Sequence, residues 1–256
     1  MAKLRPLAVW GVVKDLRAAV QDERPIAVGG VLAEQLQKEL ARDGSPGAVR
    51  AGPAAGAAAL VRVLAGAPTA EDEEELRRAR RARVPVVAVQ TSTDTFDVPY
   101  VLATDVVPCS PGAGFPLEEI AAALATRLGD RGPGVAARLP VLRQAVCEEL
   151  IDDFSRKNGI LGVAIFVPGA DLPVLTLNQL RLVLRIAAAH GVEIDQQRLP
   201  EVLGTIAAGY GFRAVARQAL GALPVAGWAV KGAVAYAGTR ALGEAAVRYF
   251  AAVRAA

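Results

Sequence analysis

The feature that most constrains this chain is a change of pattern near residue 129. Before it, short apolar runs alternate with amphipathic segments of helical length. After it, apolar residues recur only at helical spacing. The first half therefore predicts strands and helices in turn, which is how a parallel α/β sheet is built, because each parallel strand needs a long crossover before the next. The second half predicts packed helices alone. The boundary is expected between residues 136 and 137, giving an α/β domain over 1–136 and a helical domain over 137–256. Gly129 to Gly134 (GDRGPG) is expected to act as the linker.

Residues 5–21 predict an opening helix through Leu7, Trp10, Val13, Leu16 and Val20. Pro25–Gly29, Ala57–Ala65 and Val84–Val89 read as buried strands. A weaker strand is expected near Val49, and a further apolar run covers Tyr100–Val107. Helices are expected from Val31 to Ala41, Thr69 to Arg83 and Pro116 to Leu128. Thr69 and Asp72 make a capping-box pattern. The acidic residues 71–75 followed by Arg77, Arg78, Arg80, Arg81 and Arg83 match the helix dipole and suit Glu73–Arg77 and Glu74–Arg78 pairs. That self-pairing, with a net charge of only +3, argues against nucleic acid as a partner. Further on, Asn158-Gly159 reads as a helix stop, Thr176-x-x-Gln179 as a helix start ending near Gly191, and Pro200 and Pro224 as first-turn prolines.

The chemistry-bearing positions are few. Gly29-Gly30-Val31-Leu32-Ala33-Glu34 follows the first strand, where a phosphate-binding loop would need further glycines, a Lys and a hydroxyl. None of these is present, and Glu34 adds negative charge. The strand at Leu60–Ala65 ends without an Asp for magnesium. Thr91-Ser92-Thr93-Asp94 places Asp94 where a base-reading Asp could stand, and Ser110 opens a Ser-Pro-Gly loop. Gly29, Gly30, Asp94 and Ser110 are thus the candidates if a nucleotide binds. No G-x-G-x-x-G or G-x-S-x-G occurs, and no Cys/His/carboxylate spacing suits a metal. No cofactor is expected. His190, before Gly191, and the carboxylates Glu148, Glu149, Asp152 and Asp153 fit a helix end and a wet helix face. Cys109 and Cys147 are too far apart in sequence to suggest a disulfide framework. Asp171, Asn178 and Gln179 lie in an apolar setting and are expected to cap or cross-link buried helix ends, or to contact a partner. Gly232, Gly238 and Gly243 form a small-residue ridge suited to close helix contact.

The motifs ELIDDFSRKNG, VPGADLPVLTLNQ, GYGFRAVARQ and PVAGWAVKGAVAYAGTRALGEAA, in this order, resemble the YcjF-like bacterial domain of unknown function 697. That family usually follows an Era-like GTPase domain, and the α/β half here looks like such a domain with its phosphate loop degenerate. The resemblance implies association with GTPases and, in some members, with membranes; it supplies no catalytic residues. Uncharged runs fall short of the about 20 residues that a spanning helix needs. The start of the chain has no apolar stretch of the secretory type. The expectation is a cytoplasmic, non-catalytic assembly or adaptor protein, partnered by its own copies or by a GTPase, with membrane-surface contact possible. The alternatives are an atypical GTP-binding protein and a peripheral membrane-associated protein.

Overall fold

The computed structural model describes residues 21–110, 112–164, 172–192, 204–205 and 228–255. The described residues up to Val146 belong to one compact unit and those from Cys147 onward to another. The expected opening helix, Asp171, Pro200 and Pro224 lie outside the described residues.

The first unit is built on five parallel strands: β1 (Ile26–Gly30), β2 (Val49–Ala51), β3 (Ala59–Leu64), β4 (Val86–Gln90) and β5 (Val106–Pro108), in the spatial order β2-β1-β3-β4-β5. The registers align Ile26 with Val49 and with Ala59, Leu60 with Val86, and Ala88 with Val106. Their interiors are nearly all Val, Leu, Ile and Ala because a parallel strand is covered on both faces. Arg62 is the one charged residue within the central strands β1, β3 and β4. The helices are α1 (Ala33–Leu40), α2 (Ala70–Arg81), α3 (Leu117–Leu128) and the short α4 (Gly132–Arg138). In α1, Leu36 and Leu40 are buried, one turn apart. In α3, Ile120, Ala121, Leu124, Ala125 and Leu128 form the same kind of stripe.

Two expectations about this unit change. The Tyr100–Val107 run yields a strand only at Val106–Pro108; Ala103–Asp105 is a 3-10 turn instead. Val101 N–H donates to Val98 O and Asp105 N–H to Leu102 O, so two successive turns consume the backbone groups a strand would have offered. Gly129–Gly134 is not an open linker. It forms a 3-10 turn and the start of α4, with Gly132, Pro133 and Gly134 buried. A Cβ on Gly132 would lie 3.3 Å from Val146 Cγ1, so the small residues here permit close packing. Pro133 fits the first turn of α4, where its missing N–H costs nothing. The division between units accordingly falls after Val146, not after residue 136.

From Arg143 the described secondary structure is helical: α5 (Arg143–Ala164), α6 (Leu172–Ala189) and α7 (Trp228–Ala255). Asn158-Gly159 does not stop α5, which continues to Ala164. Gly159 and Gly162 are instead approach points for α7: added Cβ atoms would lie 3.3 Å from Tyr236 Cβ and 3.0 Å from Lys231 O. Tertiary contact here outweighs the helix-breaking tendency of glycine. Thr176 and Gln179 lie inside α6 and do not cap its start. Its end is as expected. Gly191 has φ +71° and Val192 N–H donates to Ala187 O, the Schellman pattern that favours glycine. Among the described residues, no helix is long and apolar enough to cross a membrane.

Candidate functional site

A parallel sheet puts every strand's C-terminal end on one edge. Gly29 and Gly30 close β1 there, Asp94 follows β4 and Ser110 follows β5. The fold therefore brings the four sequence candidates to one edge. It does not bring them together, since β3 lies between β1 and β4 and each strand step is about 4.8 Å.

The chain order reverses direction at β1, with β2 on one side and β3 on the other, which is where open α/β sheets usually hold ligands. Here the β1–α1 connection is only Val31 and Leu32. Gly30 has φ +89°, and a Cβ on it would fall 2.0 Å from Val63 O. Val31 N–H donates to that same carbonyl at 3.1 Å. The backbone thus lies against β3, with no loop left to wrap a phosphate. Leu32, also left-handed at φ 54°, is the N-cap of α1 and supplies no side-chain cap. It is 56% exposed, and Glu34 occupies the first helical turn.

Beside this junction the edge is held by internal ion pairs. Arg62 Nε donates to Asp72 Oδ1 at 2.8 Å, while Asp72 Oδ2 accepts from Thr69 N–H at 2.9 Å and Thr69 Oγ1 at 2.7 Å. Burial pushes the Asp72 carboxyl up, but the Thr69 and Arg62 hydrogen bonds outweigh it and hold the group below its usual range. A Cβ on Gly29 would meet Arg62 Nη1 at 2.8 Å. Glu75, also buried, accepts from Ala54 N–H at 2.7 Å and so ties α2 to the segment after β2. Two hollows open here, of about 470 Å³ and 380 Å³. The larger is lined by Glu71, Glu74 and Glu75 as well as Arg62 and Arg78. Arg62 is paired with Asp72, and Arg78 with Glu74 and Glu75, so no guanidinium is left over for an anion.

Asp94 is exposed, and its N–H donates to Ser92 Oγ at 3.1 Å in a local turn. Buried Gln90 closes the 91–96 segment by donating Nε2 to Phe96 O at 2.6 Å. Ser110 is exposed and its carbonyl accepts from Ala113 N–H. Cys109 Sγ lies 3.2 Å from Gly114 O, and burial, aided by Glu39, pushes its thiol up, away from thiolate chemistry. Gln90 and Arg62 were missed in the sequence. The available signal was one polar residue in each otherwise apolar strand.

In the helical part, Asn158 Nδ2 donates to Thr239 Oγ1 at 2.8 Å, and Asn178 Nδ2 donates to Asn158 Oδ1 at 2.9 Å. This chain crosses α5, α6 and α7. Asn158 and Thr239 have no exposed surface, so their polar groups must be satisfied internally. Asn178 is therefore a cross-link, and Gln179 lies half-buried next to it. Gly232 and Gly243 face this chain's own helices. Added Cβ atoms would lie 2.5 Å from Val163 Cγ2 and 2.6 Å from Ile151 Cγ1, respectively. Gly238 is half-buried. Gly232 and Gly243 are thus used inside the chain, where the sequence suggested contact with a partner. Gly232→Leu should accordingly cost about 1–3 kcal/mol through overpacking. Urea unfolding followed by far-ultraviolet dichroism would measure it, and a variant as stable as the parent would contradict the internal role.

Two of the carboxylates of α5 are ordinary surface partners: Asp153 pairs with Lys157, and Asp152 with Arg240. His190 closes α6, with its ring 6.5 Å from that of Phe250 and its carbonyl accepting from Arg254. No group of three or more His, Cys, Asp or Glu among the described residues could hold a metal ion. No family model, curated protein or solved structure matches this chain.

Proposed function

We propose that this chain is a non-catalytic, GTPase-related assembly or adaptor protein, in which the α/β unit is a scaffold and the helical part docks to a GTPase or to further copies. The observation that carries this is the two-residue β1–α1 connection, with Gly30 lying against Val63 O. A phosphate cradle needs a glycine-rich loop, a Lys and a hydroxyl at that place. Both strands flanking β1 also end without a carboxylate to hold magnesium: β2 runs into Ala51-Gly52-Pro53 and β3 into Leu64-Ala65-Gly66. The sheet order, with Asp94 and Ser110 after the last two strands, supports kinship with a nucleotide-binding fold. The missing loop supports loss of the activity. Exposed Ile160 on α5 and Tyr236 on α7 are apolar surface of the kind used in docking.

Calorimetric titration with GTP and magnesium tests this reading. The expected result is no guanine-selective, magnesium-dependent binding, no hydrolysis above the buffer rate, and no change on Asp94→Ala. Micromolar GTP affinity abolished by Asp94→Ala would overturn it. Sedimentation of the same protein should show a dimer or larger species, or a complex once a GTPase is added.

A further inference from the structure

The opposite edge of the sheet, at the N-terminal ends of β4 and β5, carries a hollow of about 360 Å³. Arg80, Arg83, Arg127 and Arg131 line it, with Tyr100 and Asp105. We propose that this hollow is a binding site for a multiply charged oxyanion of the phosphate class.

Charge is the first argument. Arg127 Nε is matched by Asp105 Oδ2 at 2.6 Å. Arg131 donates to Ala58 O at 3.2 Å and lends a minor pull to Asp22, whose main partner is Arg24. Arg80 and Arg83 have no ion pair among the described residues; the Arg80 guanidinium sits 5.3 Å from the centre of the Tyr100 ring. The single lining carboxylate is already taken, so positive charge is left over. Guanidinium forks match phosphate oxygens in shape as well as in charge.

Backbone conformation is the second argument, and it is independent of the first. Arg83 has φ 55° and Tyr100 φ 67°. Arg83 occupies the left-handed position of a Schellman motif: Arg83 N–H donates to Arg80 O and Val84 N–H to Ala79 O. That position favours glycine. Tyr100 follows Pro99 in the turn closed by Val101 N–H to Val98 O, the place where a type II turn also favours glycine. Two large side chains therefore stand where glycine would be more stable, and both border the same hollow. The helix dipole accounts for basic residues in the last turn of α2. It does not account for arginine in place of glycine, for Tyr100, or for the convergence of Arg127 and Arg131 from another part of the chain. Such unfavourable backbone positions concentrate at functional sites.

This reading concerns the edge away from Gly30 and Asp94, so it stands or falls apart from the GTP titration. The probe is inorganic tripolyphosphate at low ionic strength, read by calorimetry on the full chain. Saturable binding that weakens with added salt is expected. Arg83→Gly and Tyr100→Gly relieve the backbone, so each should unfold at the same or a higher temperature. Arg83→Gly should nonetheless weaken binding about tenfold or more, the loss of a charge-assisted contact. Arg81→Ala removes an equal charge outside the lining and should change affinity far less. Vesicles with and without phosphatidic acid identify the source. Binding that tripolyphosphate displaces marks a lipid headgroup, and its absence marks a soluble anion. No saturable tripolyphosphate binding, or equal losses in Arg81→Ala and Arg83→Gly, would overturn the proposal.

Discussion

Gly30→Ala is expected to destabilise the α/β unit by about 4 kcal/mol or more, the range reserved for a named steric fault. Two effects act together. Alanine would sit at φ +89°, and its Cβ would fall 2.0 Å from Val63 O. The obstacle is a backbone carbonyl of a central strand, which cannot turn aside like a flexible side chain. Relief requires β1 and β3 to part at the place where Val31 N–H now bonds to Val63 O. Gly56→Ala provides the comparison: Gly56 also has positive φ, but its Cβ would meet nothing within 4 Å. That variant should lose only about 1–2 kcal/mol, the cost of the left-handed backbone alone. Urea unfolding of the two variants measures the difference. Equal, small losses would mean that the β1–α1 junction yields easily, and a yielding junction would restore the possibility of a ligand there.

Asp72→Ala should cost about 3–5 kcal/mol, because it leaves Arg62 charged and largely buried without its partner. Both side chains are nearly out of solvent, at 12% and 11% exposed. The same substitution removes the acceptor for Thr69 N–H and Oγ1, opening the capping box of α2. Replacing both partners, as in Arg62→Met with Asp72→Leu, should recover much of the loss. The wild-type pair also has a pH signature. The Asp72 carboxyl is held below its ordinary value in the folded state. Its contribution is then complete above the unfolded value of about 3.9 and declines as pH falls through the lower folded value. Stability of the parent should therefore drop more steeply below about pH 4 than that of the double variant. Parallel acid-unfolding curves would remove Asp72 as the cause.

Much of the α/β architecture was legible because its signals are local. The Thr69–Asp72 capping box works within four residues and is found as expected. Arg78 pairs with Glu74 as expected, while Arg77 pairs with that same Glu74 in place of the expected Glu73. The run of Val and Ala in β1, β3 and β4 follows from burial on two faces, which any parallel order would demand. The absence of Gly-Lys-Ser after β1 could also be read directly, since a phosphate loop is a local motif.

What the tertiary structure decided depends on residues far apart in the chain. Asn158-Gly159 has the composition of a helix stop, yet α5 runs through it because α7 packs there and Asn158 bonds to Thr239. Gly129–Gly134 has linker composition, yet Gly132, Pro133 and Gly134 are buried and helical. The Gly232 and Gly243 ridge announced close packing but could not say against what, and this chain's own Val163 and Ile151 fill the place. The partners of Arg62 and Gln90 and the convergence of Arg80, Arg83, Arg127 and Arg131 were equally out of reach. Capping, periodicity and turn preference act over a few residues and are written in order along the chain. The burial of a glycine or the pairing of an arginine is set by whichever distant segment folding brings against it.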